Sequence, residues 1–344
     1  MERSTGWHAQ LVAAGARFDE NGLVTDFGDP VAEARAMQDS AIAAPLTGLG
    51  LISVSGEDAS SFLNAQLTSD VGAVSPGRAQ YSGYCTPKGR LLATLLVFAD
   101  SDSYWLMLPG ELAEPVTARL QKYVLRAKAK LEVASAAFSV FGVAGARAAM
   151  AVADALDGPN SVSAQQQAFD VRHDDGTSLI SLPGGRYLAI CGIDDAATTW
   201  QKLIGYAQPA GSRWWELQTI RSGIATVTAA TQEMFTPQMV ALDVCGGVSF
   251  EKGCYPGQEI VARTRYLGDV KRRLYHGHSN HSVAAGSAII GDVDDKTLGT
   301  VTNAAQAAGN AWEFLAVLQR DALEAEPTLR ARDGGTVTID RAIV

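Results

Sequence analysis

The run Leu91 to Phe98, LLATLLVF, constrains this chain more than any other stretch. Eight residues with a single hydroxyl among them read as a strand, and a strand apolar on both faces must be covered on both. The fold therefore needs a layered sheet. The flanking segments supply the layers. Leu49 to Val54 reads as a strand, and Ser55-Gly56-Glu57-Asp58 offers a capping-box start to a helix with Ala59, Phe62, Leu63 and Leu67 on one face. Tyr104 to Leu108 is a further strand stopped at Pro109-Gly110, and Glu111 to Leu125 follows as a helix. The order is strand, helix, strand, strand, helix.

A similar order returns further on. Phe138 to Val143 is a strand, and the alanine-rich stretch after Gly145 is a helix. Ala168 to Val171, Ser178 to Leu182 and Tyr187 to Cys191 are strands, the last two joined by a Pro183-Gly184-Gly185 turn. Ala196 to Tyr206 and Trp214 to Ser222 are helices. After about residue 266 the pattern shifts to short strands between Gly, Asp and Asn turns: Arg273 to His278, Ala288 to Ile290, Gly299 to Thr302, Glu313 to Leu318 and Thr336 to Ile339. These suit a small antiparallel barrel or sandwich. Three units follow: residues 1–130 and 131–265 as α+β modules, the second ending in an extended segment, and 266–344 as a barrel.

A length of 344 residues fits two or three domains, and 47% hydrophobic against 19% charged residues is a globular composition. The net charge of -9 argues against direct nucleic-acid binding. The first twenty residues lack the apolar core of a signal peptide, no 18-residue apolar run spans a membrane, and the expected location is the cytoplasm. Cys85, Cys191, Cys245 and Cys254 show no C-x-x-C spacing, so neither a disulfide framework nor a zinc or iron–sulfur ligand set is expected. His276, His278 and His281 place two imidazoles on one strand face but lack a complete ligand set, so no metal is expected. Gly48-Leu49-Gly50 precedes its strand, whereas a dinucleotide loop must follow one. No G-x-S-x-G, H-E-x-x-H or Walker loop is present.

Two features carry chemistry. Arg263, Arg265, Lys271, Arg272 and Arg273 against Asp269 give a net +4 in an acidic chain, which serves either as a solvated strand edge or as a dock for a carboxylate tail or phosphate. Cys254 sits between Gly253 and Tyr255-Pro256-Gly257, with Lys252, Gln258 and Glu259 close by. That setting exposes a thiol, and Lys252 is expected to favour the nucleophilic thiolate. The alternative is a cysteine that simply fits a tight turn.

Lys252-Gly253-Cys254-Tyr255-Pro256-Gly257-Gln258-Glu259 matches the hallmark K-G-C-[FY]-x-G-Q-E of the YgfZ family, which the chain resembles. The resemblance extends to Phe235-Thr236-Pro237-Gln238, Leu242-Asp243, Gln66 to Val71, Tyr84 to Arg90 and Tyr123 to Arg126. It implies an α+β fold like the glycine cleavage T-protein, with two intertwined ferredoxin-like α+β domains and a small C-terminal antiparallel β-barrel around a central folate-binding hole. It also implies tetrahydrofolate as ligand, and iron–sulfur client enzymes or cluster-assembly proteins as partners, in bacteria including a tRNA-methylthiolating enzyme. Cys254 is then the functional thiol, with Lys252 beside it.

A pterin needs an apolar slot with a few placed polar groups, and Tyr84, Trp214 and Trp215 are expected to wall it. By resemblance to T-proteins, Arg221 reaches the glutamate tail. Arg186 is an alternative, and Gln258 and Glu259 of the motif are further expected cofactor-binding residues. T-proteins carry acids on the strand that here reads Leu91 to Leu95, and this chain has none between Lys88 and Asp100. An accessory folate-binding protein is therefore expected ahead of a folate-dependent aminomethyltransferase or demethylase, or a scaffold with a vestigial site.

Overall fold

The computed structural model describes residues 2–157, 167–267, 271–291, 295–321, 328–332 and 335–344. The apolar run becomes strand Leu91–Ala99, near the centre of a five-stranded antiparallel sheet. The sheet's order is Gln80–Cys85, Leu91–Ala99, Ser103–Pro109, Leu49–Ser55, Lys130–Val133. Alternation decides the use of each side chain. Ala93, Leu95 and Val97 pack with Leu112, Val116 and Leu120 of helix Gly110–Val124. Leu96 and Phe98 point the other way, into a cluster shared with Ile180, Leu188 and Ile190 of the second sheet.

That second sheet has six strands, in the order Val171–Asp174, Thr177–Leu182, Arg186–Gly192, Phe138–Ala144, Ile42–Pro45, Gln208–Pro209. All pairs are antiparallel except the last. Its outer face carries Phe141, Val143, Tyr187 and Ala189 against Trp200 and Leu203 of helix Ala196–Ile204 and Leu11 of helix Glu2–Ala13. Strands Arg272–Ser279, Trp312–Gln319, Thr297–Gln306, Ala288–Gly291, Leu329–Ala331 and Thr336–Ala342 close into a barrel around Val301, Phe314, Ala316 and Leu318.

Several expectations need correction. The sheets do not divide at residue 130: Ile42–Pro45 lies inside the second sheet and Lys130–Val133 edges the first, so the modules interleave. The strand expected at Ala168 starts at Val171, because Phe169 adopts φ 75 and leaves the extended region. No capping box opens helix Ala59–Asn64; Asp58 makes no cap bond and accepts from Lys128 N at 2.8 Å. The motif segment is not extended throughout, since Gln258–Leu267 is helical. Asp269 of the basic cluster lies outside the described residues.

Candidate functional site: a central cavity and a clamped thiol loop

Helix Ser212–Arg221 presents Ser212, Trp215, Glu216 and Thr219 on one face, at the spacing of successive helical turns. That face borders a cavity of about 780 Å³, inside the roughly 300–1,000 Å³ range of small-molecule sites. Thr94, Leu96 and Met107 of the first sheet, Leu182, Arg186 and Leu188 of the second, and Asn303 and Ala304 of the barrel complete the wall. Every unit of the fold contributes.

Arg186 dominates the polar lining. It is 1% exposed, donates through Nε to Pro183 O at 3.0 Å and through Nη1 to Thr219 Oγ1 at 2.7 Å, and lies 5.1 Å from the centre of the Trp215 ring. Its Nη2 has no partner among the described residues. Burial raises the Glu216 carboxyl above its usual range, partly opposed by the Arg186 charge. Burial likewise raises the Tyr81 hydroxyl, opposed by the charge of Arg186. Cys245 also lines the cavity, and burial pushes its thiol up to about 11. A planar cation, a carboxyl and an indole thus meet in a largely apolar chamber.

Of the cofactor residues read from sequence, Arg186 lines this cavity, and Trp215, expected as a slot wall, joins it. The others are engaged elsewhere. Tyr84 is 1% exposed inside the first module's core, where burial pushes its hydroxyl to about 12. Trp214 Nε1 donates to Glu33 Oε2 at 2.8 Å; that buried carboxylate also accepts from Phe27 N and Gly211 N and ties the N-terminal segment to the helix. Arg221 forms a bidentate pair with Glu313 of the barrel, with Nε at 3.0 Å from Oε2 and Nη2 at 2.6 Å from Oε1. A guanidinium so committed is a strut between helix and barrel. Glu313 also contacts His276 Nε2 at 3.1 Å, and Asp340 contacts His276 and His278 at 2.8 Å each. His276 and His278 are thus held by carboxylates. Gln258 and Glu259 open the motif helix away from the cavity wall. No member of the basic cluster lines the cavity among the described residues, and Arg265 stacks on Phe250, 4.1 Å from its ring centre.

The K-G-C motif forms a second place. Gly257 has φ +84, and a Cβ there would stand 2.6 Å from both Gly89 Cα and Thr86 O. Thr86-Pro87-Lys88-Gly89 and the motif therefore meet backbone to backbone, which only glycine permits. Gln238 Nε2 donates to Val261 O at 2.6 Å, so the Phe-Thr-Pro-Gln segment holds the motif helix from the other side. Lys252 Nζ donates to Asn64 O, to Leu67 O at 2.7 Å and to Ser69 O at 2.9 Å. Its three protons are spent on backbone carbonyls. The expectation that Lys252 serves the Cys254 thiolate is corrected by this geometry: the ammonium clamps the loop to the first module. Burial lowers it to about 8, opposed by the Asp70 charge, so it stays mostly protonated at neutral pH.

Cys254 is exposed at the tip of this clamped loop and does not line the cavity. The other thiols are less available. Burial pushes Cys85 to about 12 and raises Cys191. Sequence reading missed Glu216, Tyr81 and Asn303. The spacing of Ser212, Trp215, Glu216 and Thr219 was the signal available for the first; nothing local marked the other two.

Residues 7–174 match the GCVT N-terminal domain family. The tRNA-modifying protein YgfZ of Sodalis glossinidius is 33% identical over 291 residues, covering 82% of this chain and 86% of that protein. The YgfZ protein of Yersinia pestis is 31% identical over 297 residues, covering 84% and 87%. Among solved structures, the glycine cleavage system aminomethyltransferase T of Bartonella henselae superposes with a TM-score of 0.78 over 97% of this chain and 95% of that one, at 16% identity. The fold is therefore that of the T-protein, with its closed six-stranded barrel. With its motif loop, its interleaved modules and relatives at this identity, the chain belongs to the family of the tRNA-modifying protein YgfZ.

Proposed function

We propose that this chain binds tetrahydrofolate in the central cavity and acts as an accessory protein in assembly, maintenance or repair of iron–sulfur enzymes of the cytoplasm. In this reading Cys254 offers its thiol to a client enzyme or cluster-assembly protein. The observation that carries the ligand is Arg186. A buried guanidinium over the Trp215 ring, with the Glu216 carboxyl in the same wall of a largely apolar chamber, matches a flat ring that has both acceptor and donor edges. Arg186 would donate to the ring, Glu216 would meet its N–H groups and Trp215 would pack on its face. A bound tetrahydrofolate supplies a nitrogen able to carry a one-carbon unit.

The aminomethyltransferase reading has less support. The cavity residues of strand Leu91–Ala99 are Thr94, Leu95 and Leu96, none of which ionises. Thr94 Oγ1 instead accepts from Val227 N at 3.0 Å. Tetrahydrofolate titrated calorimetrically into the whole chain tests the proposal. Saturable binding is expected. Arg186→Met should weaken it about 10- to 100-fold, since a hydrogen bond to a charged group contributes about 1.5–3 kcal/mol. Glu216→Gln, a milder change, should weaken it as well. No binding by the folded wild-type chain would refute the ligand assignment.

A further inference from the structure

The two sheets enclose a second chamber beside the central cavity. Leu96, Met107 and Leu188 line the central cavity; one same-face step along those strands, Phe98, Trp105 and Ile190 line a separate space of about 510 Å³. The two linings share no residue. Phe98 and Trp105 lie nearly parallel, 15° apart with ring centres at 6.3 Å, and Phe138 stands edge-on to Trp105 at 4.9 Å. Trp105 and Phe138 are only half-buried, so aromatic surface stays open on the chamber.

The polar part of the lining is acidic. Asp100 Oδ2 accepts from Trp105 Nε1 at 2.7 Å, and its Oδ1 accepts from Asp102 N and Ser103 N at 2.8 Å each, which fixes a carboxylate at the indole. Asp174 and Asp175 add two more from the exposed hairpin turn between Val171–Asp174 and Thr177–Leu182. No lysine or arginine lines the chamber among the described residues, and Arg78, close to Pro76 of the wall, is taken by Asp170 at 2.9 Å. His173 faces Pro76 O at 3.0 Å and Ala99 O at 3.1 Å through Nε2, and Ser178 Oγ at 2.9 Å through Nδ1. Even a charged His173 leaves the acids in excess, three against one.

We propose that this chamber is a second ligand site and takes a small organic cation, an ammonium head with an apolar body. The body packs on Phe98, Trp105 and Phe138, and the charge is held by Asp100, Asp174 and Asp175. The aromatic wall alone would admit any apolar group of the right size; the carboxylates decide the sign of the charge. Aromatic faces attract an ammonium within about 6 Å of the ring centre. A recess lined by one sign of charge between low-dielectric walls concentrates the opposite sign. The folate proposed for the central cavity carries carboxylates and is repelled here, so this inference does not depend on that reading.

The test is a ligand-observed NMR titration of the whole chain with choline and with 3,3-dimethyl-1-butanol, which has the same shape with carbon in place of the charged nitrogen. Choline should bind saturably and about tenfold or more tighter than the neutral alcohol. Trp105→Leu keeps an apolar side chain and removes the ring, and should weaken choline about 5- to 20-fold. Asp174→Asn combined with Asp175→Asn gives a variant that spares the core. Asp175 has φ 43 and Gly176 φ 75 in a two-residue hairpin loop, a type I′ turn that Asn-Gly favours, so folding is kept. This double variant should weaken choline about 5- to 10-fold and move the alcohol less than about twofold. Equal affinity of the wild-type chain for choline and the alcohol overturns the inference, as does an unchanged preference in the double variant. Failure of choline to bind the folded wild-type chain also overturns it. That holds even if hexalysine binds in its place, which would make the recess a dock for a partner's basic segment.

Discussion

Replacing Lys252 with methionine separates two accounts of the K-G-C motif. Methionine keeps much of the stem's length and removes the ammonium. In the clamp account, Nζ satisfies three carbonyls, of Asn64, Leu67 and Ser69. Hydrogen bonds from a charged donor contribute about 1.5–3 kcal/mol each. Against this stands the cost of burying the ammonium, visible in its descent to about 8. The group is only partly buried, so that cost is discounted for solvent, and the released carbonyls recover some hydration. The net loss should be about 2–3 kcal/mol, felt locally. At about 1.4 kcal/mol per factor of ten, the open population of the loop rises roughly 30- to 150-fold.

Hydrogen exchange followed peptide by peptide measures this directly. Segments covering 249–261 and 64–70 should lose protection in Lys252→Met while the barrel and the second sheet keep theirs. Alkylation of Cys254 near neutral pH supplies the discriminating readout. A lysine that stabilised the thiolate would, when removed, slow the reaction. A lysine that clamps the loop leaves the already exposed sulfur at least as accessible, so the rate should hold or rise. Unchanged protection together with slower alkylation would refute the clamp and restore the thiolate role.

Two further outcomes follow from the same geometry. Burial raises the Glu313 carboxyl, but bonds and charges from His276 and Arg221 outweigh it and bring it to about 2; the bond to Glu313 in turn raises His276. The depressed carboxyl contributes stability above its unfolded value of 4.5 and loses it as pH falls towards about 2, whereas the raised imidazole contributes below 6.5 and loses it as pH climbs through its folded value. The strut between helix and barrel should therefore be firmest between those limits, and Glu313→Gln should flatten the pH profile of thermal unfolding by about 1–2 kcal/mol, after discount for a partly exposed pair; an unchanged profile would refute it. Cys254→Ser should keep tetrahydrofolate affinity, since the sulfur stands outside the cavity, yet fail to restore iron–sulfur enzyme activity in cells lacking the chain. Full restoration by Cys254→Ser would remove the thiol from the proposed function.

What could be read in the sequence depended on whether the cause was local. Leu91 to Phe98 announced a two-sided sheet because apolar side chains on both faces of a strand admit no other cover, and the structure divides them between helix and second sheet. Ile42–Pro45 gave no such notice. Its four residues are IAAP, poor in β-branched side chains, and they become a strand because Phe138–Ala144, about a hundred residues later, pairs with them. The pairing of Arg221 was illegible for the same reason, since its partner Glu313 is 92 residues away. The helix bearing Arg221 shows what that pairing does. Ser212, Trp215, Glu216 and Thr219 face the cavity, and Arg221, at the C-terminal end, reaches the barrel that carries Asn303 into the same wall. One helix thus builds the chamber and fixes the element that closes it. The arginine that read as a ligand contact acts instead through the barrel, and the arginine left as the alternative, Arg186, is the one at the chamber's wall.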